Sequence, residues 1–132
     1  MPAPLDGVEV LEYGGRIAVS ACGSVLLALG ATVSVAASVE APALPRLQTE
    51  GKRRLRAQAE VLAALERASI VIASRDTTPL APTRASAQIV CDITAYGSTG
   101  PLAAVPHSDV LVQAMGGLAD PTGKPDGPPL VC

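Results

Sequence analysis

The sequence predicts a parallel, doubly wound α/β sheet with helices on both faces. Three observations predict it. Short β-branched runs alternate with segments of helical periodicity. Glycine-rich turns follow the runs, as strand-to-helix junctions require. The whole pattern fits one core, because 132 residues is a single domain's worth of chain.

Taken in order, Val8 to Leu11 reads as the first strand. Tyr13, Gly14 and Gly15 turn it into a helix from about Ile17 to Leu29. On that helix Cys22, Val25, Leu26 and Leu29 share one apolar face, and Gly30 ends it. Thr32 to Ala37 is the second strand, which completes a βαβ unit of parallel strands. Pro42 and Pro45 mark a loop. A second helix, from about Leu55 to Arg67, is predicted to bury Val61, Leu62, Leu65 and Ala68. Ile70 to Ala73 is the third strand, Thr77 to Pro82 a loop, and Ile89 to Thr94 a buried fourth strand. Gly97, Gly100 and Pro101 stop it. Ser108 or Asp109 can then cap a helix whose apolar positions are Val110, Leu111, Ala114, Met115 and Leu118. Gly116 and Gly117 weaken its last turn, and Pro121 keeps it from continuing. The architecture is Rossmann-like.

Composition narrows the function classes. Hydrophobic residues at 48% against 17% charged describe a globular chain rather than a disordered one. With no Trp or Phe, Ala, Val and Leu must build the core. A net charge of −2 gives no reason to expect nucleic acid or an anionic membrane as partner. No apolar run approaches the ~20 residues of a membrane span. The start, MPAPLDGVEV, lacks the basic and apolar regions of a signal peptide, so a cytoplasmic location is expected. Cys22, Cys91 and Cys132 form no CxxC pair and are odd in number, which predicts neither a metal site nor a disulfide framework. Cys22 and Cys91 read as small core residues. Cys132 is the final residue, with nothing like a domain ending before it.

Four places could carry chemistry. Gly14-Gly15-Arg16-Ile17-Ala18 lies beyond a strand's carboxyl end, at a helix N-terminus whose amides favour an anion. It is not a GxGxxG fingerprint, and an ordinary strand-to-helix turn reads the same way. Lys52, Arg53, Arg54 and Arg56 form the only basic cluster and read as a solvated helix start. His107, Ser108 and Asp109 are consecutive, and consecutive side chains do not converge as a catalytic triad. Their plain reading is a loop histidine beside a helix cap. Asp120 and Asp126 sit in turns, where aspartate serves the local backbone.

The order ITAYGSTGP…SDVLVQAMGGLADPTGKPDGPPL resembles the family III CoA-transferases, the CaiB/BaiF group. That family carries a similar strand, a (F/Y)G-x-x-GP loop, a D-(L/V)-x-x-QA-x-GG helix and a TG-x-x-(D/G)GPP tail. By this resemblance the chain is an N-terminal α/β segment, residues 1–132, covering about a third of a family member. VLEYGGRIA is similar to the family's CoA-contacting segment, which marks Gly15, Arg16, Ile17 and Ala18 as cofactor-binding. EGKRRL is similar to the family's GKRS segment and marks Arg53, while Ser74 stands where many relatives have Asn. Val19 and Ser20 replace a usual Gly-Pro, and Val35 and Ala37 replace a Lys and Glu. The chain also runs from Leu55 straight into its helix, without the family's intervening stretch.

The resemblance implies transfer of CoA between an acyl-CoA and a small carboxylic acid, with coenzyme A as substrate and no metal. An aspartate carboxylate would attack the thioester to form an acyl-aspartyl anhydride. No residue of the 132 matches that nucleophile, so this chain alone is expected not to catalyse transfer. Asp109 matches the acidic position at the family's active-site helix, and His107 lies one residue away from the histidine used in the racemase branch. Those two are the catalytic candidates. A homo-oligomer or a complementing chain is implied as partner. The alternatives are a non-catalytic CoA-binding or scaffold module, and a fragment of an acyl-CoA racemase or isomerase.

Overall fold

The structure is a computed structural model that describes residues 1–36, 50–74, 88–119, 121–128 and 130. It divides into two units, Met1–Thr94 and Ala95–Cys132. The predicted features at Ala37, Pro42, Pro45, Thr77 to Pro82, Asp120, Pro129 and Cys132 lie outside the described residues.

The first unit holds a fully parallel sheet of strands β1 (Glu9–Tyr13), β2 (Thr32–Ala36), β3 (Arg53–Leu55), β4 (Ile70–Ala73) and β5 (Ile89–Asp92), in the order β3-β2-β1-β4-β5. Helix α1 (Ile17–Ala28) covers one face and α2 (Gln58–Arg67) the other. The doubly wound α/β expectation holds. Alternation along β1 explains the two layers: Val10 joins Val19, Val33 and Ile72 beneath α1, whereas Leu11 and Tyr13 join Val61, Leu65 and Val71 beneath α2.

Backbone groups at the helix ends find partners as capping physics requires. After α1, Gly30 takes φ +100°, its N–H donates to Leu27 O, and the Ala31 N–H donates to Leu26 O. At the start of α2, the Glu60 carboxylate accepts from the amides of Ala57 and Arg56 at 3.2 and 3.0 Å. These bonds hold its pKa below the usual value. At the end of α2, the Gln88 Nε2 donates to both Leu65 O and Ala68 O, at 2.8 and 2.9 Å.

Several expectations need correction. Arg53–Leu55 is a strand, not a helix start, and α2 begins three residues after it. Three residues rich in arginine carry no strand signal; pairing with β2 makes them one. Lys52, read as solvated, is buried. The first strand runs on through Tyr13, where the sequence predicts the turn. On α1 Val19, Ser20 and Gly23 are buried, and of the predicted face Cys22 and Leu26 pack against the core while Val25 and Leu29 are exposed. On α2 Leu62 is exposed, and Val61, Ala64 and Leu65 carry the burial. The strand at Ile89 ends at Asp92 and lies at the sheet edge, so Ile89 is 62% exposed and Cys91 is exposed rather than in the core. No helix among the described residues is long and apolar enough to cross a membrane.

In the second unit, α3 (Asp109–Met115) follows the Gly97 and Gly100 turns, both at positive φ. Ser108 caps it, its Oγ accepting from the Leu111 amide, as expected. Its apolar positions Val110, Leu111, Met115 and the following Leu118 are exposed. They carry the predicted periodicity without forming a core in this unit.

Candidate functional site

In an open parallel sheet the strand order reverses at one point, and ligands settle in the crevice beyond the strand ends there. Here the reversal lies between β1 and β4. The last residues of the two strands, Tyr13 and Ala73, are partners in register. The next residue on each side makes the closest approach. Gly14 lies against Ser74 so tightly that a Cβ on it would stand 2.7 Å from the Ser74 Cβ and 2.9 Å from its amide nitrogen. The Ser74 N–H donates to Tyr13 O at 3.0 Å, and Ser74 is fully buried. Gly14 also sits at φ +144°, where a side chain is strained.

The chain then enters α1 through Gly15 and Arg16, whose backbone is extended at φ −81° and ψ 141°. No side chain caps this helix end, and no acidic residue occupies its first turn. Its field is therefore positive toward the crevice. Ile17 and Ala18 are exposed in that turn. Five of the six residues predicted to bind cofactor, namely Gly15, Arg16, Ile17, Ala18 and Ser74, thus gather around one junction.

The sixth does not. Arg53 pairs with Ser34, two residues short of the strand ends. With Glu9, Thr32, Ser34 and Arg67 it lines a small cavity on the α2 face.

Beneath the first turn of α1 lies a cluster that the sequence reading missed. The Lys52 side chain, 0% exposed, brings its ammonium 2.7 Å from the Oε1 of Glu12, which is 3% exposed. The contact is ionic, off the line of a regular hydrogen bond. The same ammonium donates to Ser20 O at 2.7 Å and to Ser20 Oγ at 3.2 Å. Burial pushes the Glu12 carboxyl up to about 7, against the pull of the ammonium. A Cβ on Gly23 would overlap the Glu12 carboxylate, so the helix has a glycine where the acid needs room. A glutamate inside an apolar strand and a glycine inside a helix were the available signals.

His107 and Asp109 belong to the second unit. The His107 ring meets Tyr96 edge-on, with centroids 6.2 Å apart at 89°. Asp109 Oδ2 accepts from Gln113 Nε2 at 2.7 Å, one turn along α3. Ser108 Oγ accepts from the Leu111 amide at 3.4 Å as the cap of α3. Among the described residues no group of three or more His, Cys, Asp or Glu could hold a metal ion.

Known proteins are similar to parts of the chain in sequence and to all of it in fold. The sequence profile of CoA-transferase family III matches residues 82–132. The chain is 59% identical over 34 residues to acetyl-CoA:oxalate CoA-transferase of Acetobacter aceti, covering 26% of the chain and 9% of that enzyme. It is 48% identical over 42 residues to succinate–glutarate CoA-transferase of Agrobacterium fabrum, covering 32% of the chain and 10% of that enzyme. Its fold is similar along its full length to a CaiB/BaiF family protein from Brucella suis, with TM-score 0.80 and 27% identity over 44% of that structure. A hypothetical protein from Mycobacterium tuberculosis is similar over 98% of the chain and 44% of that structure, with TM-score 0.75 and 27% identity. The chain spans less than half the length of either structure.

Proposed function

We propose that this chain, whose residues 82–132 belong to CoA-transferase family III, binds the coenzyme A part of an acyl-CoA at the crevice between β1 and β4. In this reading it serves an enzyme that moves CoA from an acyl-CoA to a carboxylic acid. The meeting of Gly14 and Ser74 at the switch point carries the proposal, because it leaves backbone rather than side chains around the crevice. A phosphate of CoA would take amides from Gly15 to Ala18 at the uncapped start of α1. Arg16 would add a cation, and Ser74 would close the floor.

The chemistry follows from the thioester. An aspartate carboxylate would attack its carbonyl and expel CoA thiolate, giving an acyl-aspartyl anhydride. The thiolate would attack the aspartyl carbonyl and release the donor acid. The acceptor carboxylate would displace the thiolate from that aspartyl-CoA thioester to form a new anhydride. The thiolate would then attack its acyl carbonyl, releasing the new acyl-CoA and the aspartate. None of these 132 residues is assigned as that nucleophile. Asp109 and His107 stand as candidates for proton transfer at the acyl group, to be tested by Asp109→Asn and His107→Ala in a longer polypeptide that carries out transfer.

Calorimetric titration of the chain with CoA tests the binding step. Heat is expected with CoA and much less with pantetheine, which lacks the nucleotide phosphates. Arg16→Ala should weaken CoA binding by about tenfold or more, the effect of losing one charged hydrogen bond. A folded chain that gives no heat with CoA would overturn the proposal.

A further inference from the structure

We infer that Lys52 is a positioning residue, whose ammonium, neutralised by Glu12, clamps the first turn of α1 in the shape that receives an anion at the β1–β4 crevice. The ligand rests on the CoA-binding reading above; the clamp rests on geometry alone.

Three elements converge on this ammonium. Glu12 comes from the carboxyl end of β1, Ser20 from the end of the first turn of α1, and Lys52 from the residue before β3. Ser20 is three residues beyond Ile17, so a bond to its carbonyl holds the turn that presents the Ile17 and Ala18 amides. Lys52 is fully buried and acts through Ser20 rather than by touching a ligand.

The sheet does not need a charge here. Buried ion pairs cost desolvation, and apolar residues of similar volume often serve stability as well or better. The pair also requires a helix-weakening glycine at position 23 to make room for the acid. Glu12, Gly23 and Lys52 are thus all shaped around one bond to the first turn of α1.

The test compares Lys52→Met with the double variant Glu12→Gln/Lys52→Met in the full chain. Three quantities are measured: the thermal midpoint, the hydrogen exchange of the Val19 and Ser20 amides, which bond Arg16 O at 3.1 and 3.4 Å, and the affinity for CoA. Measured above pH 7, where Glu12 is ionised beside Lys52, the single variant removes the cation that holds the buried carboxylate and should lose about 10 °C or more in midpoint. Its first-turn amides should exchange faster and its CoA affinity should fall about tenfold.

The double variant carries no buried charge and should regain the midpoint. It should still exchange fast and bind CoA about tenfold more weakly than the wild type. Recovery of slow exchange and affinity along with the midpoint would overturn the inference, since the pair would then serve stability alone. Failure of the double variant to fold would overturn it for the same reason. If the wild type itself binds no CoA, the binding proposal falls and the exchange rates alone decide the clamp: unchanged exchange in the double variant sinks it.

Discussion

Two glutamates three residues apart on β1 meet their cations in opposite ways. Glu9 reaches Arg67 of α2 at 3.6 Å, with both side chains about half exposed. Glu12 meets Lys52 at 2.7 Å with both sealed from solvent. The alternation of the strand puts them on opposite faces. Identical charges therefore have different consequences. The solvated pair is screened and contributes little. The sealed pair adds little net stability when whole, but halving it strands a charge where water cannot reach.

The comparison can be broken most directly at Lys52. Above pH 7, where Glu12 is ionised, Lys52→Met should cost about 3–5 kcal/mol in urea unfolding, the range for halving a buried pair. A cost below that of the exposed pair would end the distinction. Gly23→Ala comes next. An exposed helical glycine gains about 1 kcal/mol on this change, but here the new methyl must displace the Glu12 carboxylate, so a loss of about 1–3 kcal/mol is expected. Stabilisation would mean the carboxylate has room elsewhere.

Acidity sharpens the same contrast. Glu12 holds its proton up to about pH 7 when folded, against an ordinary value of 4.5. The folded state therefore binds more protons than the unfolded state between those values. Its contribution is full below about pH 4.5 and is lost as pH rises through 7. Thermal midpoints of wild type minus Glu12→Gln should fall across that window, and a flat difference would contradict the assignment. The smallest effect belongs to Arg67→Ala, which should cost less than about 1 kcal/mol and less still in high salt.

Much of the fold was legible because its signals are local. Val10 and Leu11, Val33, and Ile70 to Ile72 announce strands by β-branching and apolar runs, and Gly14 and Gly30 announce their turns. β3 was not legible, since Arg53 and Arg54 are strand residues only through their partners Ser34 and Val35. The exposure of Ile89 was hidden for a related reason: an apolar run does not reveal whether a strand is central or at an edge.

At the candidate site, Gly15 to Ala18 and Ser74 could each be singled out by type and position. Their meeting depends on β1 and β4 pairing across some sixty residues of chain. The burial of Lys52 depends on an acid forty positions earlier, so in the sequence its charge looked like part of a solvated run.

Gln88 joins parts of the first unit whose unfolding would otherwise be separate. Its side chain satisfies the last carbonyls of α2, and the next residue begins β5, the edge strand with an exposed flank. If β5 peels away, α2 loses its terminal partners; if α2 frays, β5 loses a tether. The least protected strand of the sheet is thereby bound into one cooperative unit with a helix on the face, and native-state exchange should show the two opening together rather than in succession.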